Sequence, residues 1–320
     1  MEQKNQDAAE TGRPVESKRK IRHVMVFADE TLEDLQRGNF RLIQKKDGFR
    51  YGEDAVLLTH FAARQVGLAR GKRSLSYLDL GSQCGIITIL FQAVCPQAQG
   101  IGLELFPRQV DVMRRNIRLN SLEASLRTVQ ADIRSLSRGS APLPEGIKEY
   151  AFDMVICNPP YGVPARGFDG RQETAGRQET EADLLSSVAY EKRAAREEVA
   201  VSFIEICGLV DRLLKPQGRF VFSHRPDRLP ELMADLDSCR LTPKDMLLVQ
   251  PEVGKKPTTV LLSAVKHGRP GSFNLAAPLP VRGQNRLYTE AMRAFIGRTT
   301  AYEARPEDPV VCFEETGEGV

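Results

Sequence analysis

Ser76-Tyr77-Leu78-Asp79-Leu80-Gly81-Ser82-Gln83-Cys84-Gly85 runs from a short apolar strand through a glycine-containing turn into a helical stretch that reaches Ala93. That order decides the fold, because it repeats downstream. Gly100 to Leu103 reads as the next strand, and Pro107 through Leu119 as a helix with its proline well placed in the first turn. Leu126 to Gln130 and Phe152 to Cys157 are the third and fourth strands. A helix over Val199 to Leu214 stops at Lys215-Pro216-Gln217-Gly218, and Arg219 to Phe222 is the fifth strand. The helix Leu229 to Leu236 and the strands Met246 to Gln250 and Thr259 to Val265 complete the series. Alternation of this kind predicts an α/β fold with a doubly wound, mostly parallel, seven-stranded Rossmann-like sheet. Upstream, Phe40 to Gln44 and Gly48 to Tyr51 read as short strands, and Asp54 to Ala62 has helical apolar spacing.

In open sheets of this class, ligands bind beyond the carboxyl ends of the strands. Gly81 lets the chain turn sharply and approach a ligand, and Gly85 allows tight helix packing. The helix that begins there directs free N–H groups at a ligand carboxylate. Asp79 is placed to orient a water or meet an ammonium group. Glu104, at the end of the next strand and about 20 residues past the turn, is placed to accept both hydroxyls of a ribose. Asp132, after the third strand, is placed to accept from an adenine amine. Singly, Glu104 reads as a surface acid and Asp132 as a helix cap; together, at successive strand ends, they point to a nucleoside cofactor. A dinucleotide needs three glycines at fixed offsets, whereas Gln83 holds the middle position and no third glycine follows Gly85 at that spacing.

Asn158-Pro159-Pro160-Tyr161 directly follows the fourth strand. Two prolines fix φ and remove two backbone donors, so the segment presents carbonyl oxygens and resists becoming helix. Asn158 adds an acceptor and Tyr161 a flat apolar face. An NH2 group held by two acceptors has its hydrogens tied down and its lone pair turned out of conjugation, towards an electrophile. That electrophile is read as the methyl sulfonium of S-adenosylmethionine. The bland reading is a proline-rich turn capping a strand; the glycine turn upstream tips the balance.

Size and composition set limits. The 320 residues, 41% hydrophobic and 27% charged, are ample for a sizeable core. No long apolar run exists, which excludes a membrane span, and the polar first twenty residues argue against a secretory signal. Six dispersed cysteines and four dispersed histidines give neither a disulfide frame nor a metal site, and suit reduced thiols in a cytoplasmic protein. The net charge of +3 divides into −5 over residues 299–320 and +8 over the rest. A basic body with an acidic tail accords with a nucleic-acid partner. Residues 1–20 read as a disordered arm, 21–298 as the catalytic domain, and 299–320 as an acidic tail. Within the domain, 162–195 is a polar insertion carrying Gly170-Arg171-Gln172-Glu173-Thr174 and its repeat Gly176-Arg177-Gln178-Glu179-Thr180. Such composition predicts a mobile loop, and its start beside Tyr161 makes it a candidate lid.

From about Leu32 to Ala291 the chain resembles the bacterial tRNA1(Val) adenine-N6 methyltransferases. The likeness rests on the two motifs above, on Arg50-Tyr51-Gly52-Glu53-Asp54-Ala55-Val56-Leu57-Leu58 and on Ser223-His224-Arg225-Pro226-Asp227-Arg228-Leu229. It extends to Val260 through Gly271 and to Leu287-Tyr288-Thr289-Glu290. The resemblance implies a class I methyltransferase fold and methylation of adenosine 37 in tRNA. It implies that Asn158 and the Pro159 carbonyl hold the amine, with Pro160 keeping the segment extended and Tyr161 stacking on the base. Asp79, Gly81, Gly85, Glu104, Asp132 and Asn158 would hold S-adenosylmethionine, and Arg225 and Arg228 are candidates for phosphate contact, or solvated surface arginines. The chain departs from that pattern at Gln83, where family members have Gly. It departs again at Ala195-Arg196-Glu197-Glu198, where Glu197 replaces a His. Two other readings use the same residues: methylation of a protein glutamine amide, whose NH2 is also planar, and an RNA-binding protein that has lost catalysis.

Overall fold

The computed structural model describes residues 24–48, 50–66, 74–161, 188–194, 201–297 and 311–313. β1 (Val24–Val26) pairs in parallel with β13 (Val311–Phe313), and β2 (Glu30–Asp34) pairs antiparallel with β3 (Arg41–Lys45). The remaining strands form one sheet. At its centre β4 (Ser76–Leu80) lies between β5 (Gln99–Glu104) and β7 (Phe152–Cys157); β6 (Leu126–Gln130) lies outside β5. Beyond β7 come β8 (Leu214–His224), β10 (Thr259–Lys266) and β9 (Leu241–Glu252), with β10 antiparallel to both neighbours. These seven strands match the expectation. Two short ones, β11 (Asn274–Leu275) and β12 (Leu279–Arg282), add to β9 in parallel and bring the sheet to nine.

The chain winds one way from β4 to β6 and the other way from β7 to β8, so the switch point lies between β4 and β7. There Leu80 is in register with Cys157, which sets the glycine turn after β4 beside the segment after β7. The central strands β4 and β7 are buried on both faces, as a sheet covered by helices requires. Tyr77 points to the side of α1 (Glu53–Val66), α2 (Ile86–Val94) and α3 (Pro107–Leu119), while Leu78 and Leu80 point to the other. That second side carries α4 (Ile133–Ser137), α6 (Phe203–Leu213) and α7 (Leu229–Ser238). Phe203, Phe220 and Phe222 stack there fully buried; each contributes about 1.5–3 kcal/mol by leaving water. Among the described residues the other α-helices are α5 (Val188–Ala194) and α8 (Glu290–Phe295).

Several expectations need correction. Gly48, Arg50 and Tyr51 are not strand: the Tyr51 N–H donates to the Gln44 side chain rather than to a neighbouring strand. The sixth helix begins later than read, because Ser202 caps it, with Glu205 bonding back to the Ser202 N–H at 2.9 Å. The insertion is not loop to its end. Val188–Ala194 is helical, since Ala194 and Tyr190 find an apolar partner in Phe106. The 1–20 arm, the repeat over 170–180 and Glu197 lie outside the described residues.

Candidate active site

A cleft open to solvent lies at the switch point, where open sheets of this class bind small molecules. Gly81, Gln83 and Glu104 line one side of it and Asn158, Pro159 and Pro160 the other. Leu105, Phe106 and Ile133 supply apolar wall beside Asp132, and Glu191 reaches in from α5. Sequence motifs some 80 residues apart thus share one cavity, brought together by the Leu80–Cys157 register.

The turn after β4 is built on left-handed backbone. Gly81 has φ +71° and Gly85 φ +87°. A Cβ on Gly85 would lie 2.7 Å from Met113 Cγ, so α3 packs against this residue in a space no side chain fits. At Gly81 nothing lies within 4 Å of that position, and the backbone is open to the cleft. Gln83 also adopts positive φ, +49°, where glycine is the easier residue, and its N–H donates to Glu104 Oε2 at 2.7 Å.

The three expected acids differ in placement. Glu104 lines the cleft, and its Oε1 accepts from the N–H groups of Leu105 and Phe106 at 2.8 and 2.9 Å. With the Gln83 N–H, three of about four acceptor sites are taken, which leaves room for one ribose hydroxyl rather than both. Burial pushes its carboxyl up to about 7 against those hydrogen bonds. Asp132 borders the cleft while its side chain caps α4, accepting from the Arg134 N–H at 2.8 Å and the Ser135 hydroxyl at 3.0 Å. Asp79 is fully buried behind the turn and does not line the cleft. Its Oδ2 accepts from the Thr88 N–H and hydroxyl, and its Oδ1 has no partner among the described residues. Burial likewise raises it to about 7. Asp79 therefore takes up one N–H of the α2 N-terminus that had been assigned to a ligand carboxylate.

At the other end of the cleft, Asn158 lies in a four-residue cluster. Its Nδ2 donates to Asp54 Oδ2 at 3.1 Å, and its Oδ1 accepts from the Tyr161 hydroxyl and from Ser223 Oγ at 2.5 Å. Tyr161 tilts against the His224 ring, with centroids 5.2 Å apart, and does not line the cleft itself. Burial, with the nearby Asp54 charge, holds its phenol well above the usual range. His224 is buried, accepts from the Arg225 N–H through Nδ1, and has an unpartnered Nε2. Burial pushes it down to about 4.

Arg225 and Arg228 sit on the exit from β8, outside the cleft, paired with Asp227 and Glu231. Sequence reasoning quoted Asp54, Ser223 and His224 within longer segments without giving them roles; the structure places all three around Asn158. Glu191 was missed, since it lies in the insertion. Its Oε1 accepts from Gln109 Nε2 at 2.6 Å, fastening α5 to α3 beside the cleft. Among the described residues no group of three or more possible metal ligands occurs, and no helix is long and apolar enough to cross a membrane.

Sheet order, switch point and cleft define the class I methyltransferase fold. In agreement, a protein described as a predicted O-methyltransferase from Agrobacterium tumefaciens superposes with TM-score 0.53 at 20% identity. The match covers 79% of this chain and all of that one. In sequence, the chain resembles a tRNA1(Val) (adenine(37)-N6)-methyltransferase of Porphyromonas gingivalis at 27% identity over 222 residues, 69% of this chain and 76% of that protein. The counterpart from a second strain of that organism matches over the same span at 26%. A release factor glutamine methyltransferase of Chlorobaculum tepidum is 30% identical over 118 residues, 37% of this chain and 38% of that one. No protein-family model matches the chain.

Proposed function

We propose that this chain is an S-adenosylmethionine-dependent methyltransferase acting on an adenine N6 in tRNA, with adenosine 37 of tRNA1(Val) as the leading target, in the cytoplasm. The observation that carries the reading is the shared cleft, lined both by Gly81 and Glu104 and by Asn158-Pro159-Pro160.

The residues present fit the cofactor. Glu104 would keep an acceptor for a ribose hydroxyl, Asp132 would accept from an adenine amine beside its capping bonds, and Leu105, Phe106 and Ile133 would offer apolar walls to the ring. Gly81 exposes backbone to the methionine portion, and Gly85 keeps α3 close behind it. Asp79 supports the turn from behind through Thr88. When bound, S-adenosylmethionine supplies an electrophilic methyl group. The chain's own part is positional: Asn158 Oδ1 and the Pro159 carbonyl accept the two amine hydrogens and aim the nitrogen lone pair. Pro160 holds the segment extended. Tyr161 supports that corner from beside the cleft, its hydroxyl on Asn158 and its ring against His224, and stacking on the turned-out base is the role that the resemblance adds. No general base is needed, because the methylated amine releases its extra proton to solvent.

The glutamine-amide reading draws on the same corner and on the shorter match to a release factor methyltransferase. RNA is favoured by the longer match and by the basic body of the chain. Labelled S-adenosylmethionine, incubated with the protein and either bulk tRNA or release factor, separates the two. Transfer to tRNA, mapped as N6-methyladenosine at position 37, is the expected result; transfer to protein alone would overturn it.

A further inference from the structure

As the hydrogen bonds stand, Asn158 Oδ1 is fully occupied. Two hydroxyls, of Tyr161 and Ser223, reach it, so both lone pairs are filled and none remains for a target amine. Yet the same hydroxyls have other acceptors. Tyr161 Oη lies 3.3 Å from Asp54 Oδ2 and 2.9 Å from Ser223 Oγ. The two protons therefore have a second arrangement, reached as the two hydroxyl oxygens draw back from Asn158 Oδ1, which they approach too closely to face without a proton between. Tyr161 donates to Asp54, Ser223 donates to the Tyr161 oxygen, and Asn158 Oδ1 is open.

Asp54 also settles which way the Asn158 amide faces. A carboxylate offers acceptors only, so it selects the NH2 end of Asn158, and a flipped amide would set oxygen against oxygen. Donation to an anion further draws negative charge onto Oδ1, which strengthens it as an acceptor. Asp54 is the second residue of α1, 104 positions before Asn158, and the packing of α1 against the sheet holds it there.

We propose that Asp54 is a positioning residue for methyl transfer: it locks the Asn158 amide and takes the Tyr161 hydroxyl proton, releasing Asn158 Oδ1 to the target amine. This rests on the methyltransferase reading above. Asp54 need not touch substrate, and the cofactor end of the cleft does not depend on it.

Asp54→Asn is isosteric and tests the idea. With tRNA as substrate, kcat is expected to fall about 10- to 100-fold, the scale of losing a charge-assisted hydrogen bond. Cofactor affinity by calorimetry should change less than about twofold, since no expected cofactor contact is altered. In a Tyr161→Phe background one donor to Asn158 Oδ1 is already gone, so D54N should cost less there. Equal losses in both backgrounds, or wild-type turnover in D54N, would overturn the proposal. Independently of activity, the Asn158 side-chain amide protons, followed by NMR in asparagine-labelled protein, should move on D54N substitution. An unmoved signal refutes the Asp54–Asn158 contact itself, whereas a wild-type protein that methylates neither tRNA nor protein refutes only the function on which the proposal rests.

Discussion

The N–H of Gln83 donates to Glu104 Oε2 at 2.7 Å, tying the turn after β4 to the end of β5. Two strand ends that share the proposed cofactor are thus joined before it binds, and the joint has a cost: it forms around a carboxyl that is buried, among the described residues, without a cation.

That burial gives a pH signature. Glu104 and Asp79 are raised to about 7 in the fold, so between the ordinary carboxylate range and pH 7 the folded chain holds more protons than the unfolded one. Stability then falls as pH rises through that window and levels off above it. His224, pushed down to about 4 from 6.5, acts oppositely between those values, because the folded chain then holds fewer protons. Two acids outweigh one histidine. Melting temperature should fall on going from pH 5 to about 7 and then level off, and Glu104→Gln should flatten the curve.

Cofactor affinity should show the reverse trend. A ribose hydroxyl donates to ionised Glu104, so binding of S-adenosylmethionine should weaken as pH drops through about 7. Calorimetry at pH 6 and pH 8 measures this, and Glu104→Gln should bind weakly with little dependence on pH.

Asn158→Ala should separate chemistry from cofactor binding. Removing one preorganised acceptor is expected to lower kcat roughly 100-fold or more, with cofactor affinity changed less than about threefold because Glu104 and Gly81 are untouched. Comparable losses in transfer and binding assays would contradict the role given to Asn158.

Gly85→Ala meets two obstacles, a φ of +87° and the Met113 side chain 2.7 Å from its new Cβ. A loss of about 2–4 kcal/mol in urea unfolding is expected. Combining it with Met113→Ala should be less harmful than the sum of the two changes, because the truncated residue vacates the clash but not the backbone strain.

Phosphate contact is better assigned away from Arg225 and Arg228, whose charges are met by Asp227 and Glu231. β10 begins beside His224, which sets the β9–β10 turn, with exposed Lys255 and Lys256, on the sheet edge that carries Asn158. Replacing both lysines by alanine should weaken tRNA binding and reduce its salt slope by about 1–2, at roughly 0.7–0.9 per phosphate. An unchanged slope would place the RNA elsewhere.

Much of this architecture was legible because the pattern is local. The central strands β4 and β7 announce themselves as apolar runs closed by turns, and Gly81, Glu104, Asp132 and Asn158 each follow or close a strand, with Gly85 opening the next helix. What escaped were contacts made across the fold. Asp54 reads as an ordinary acid in the first turn of a helix; only the packing of α1 turns it to Asn158. Glu191 is one charge in a polar stretch until Phe106 supplies an apolar seat for α5. The third unread feature is a matter of proton placement: composition names acceptors, but not which of them are already in use.

α5 stands outside the alternating β–α units, yet it forms part of the wall beside the proposed ribose site through Glu191 and Gln109. That stretch of wall is fastened to α3 by a side-chain hydrogen bond and not by strand pairing, so Gln109→Ala is free to reshape it while leaving the sheet's own ladder intact.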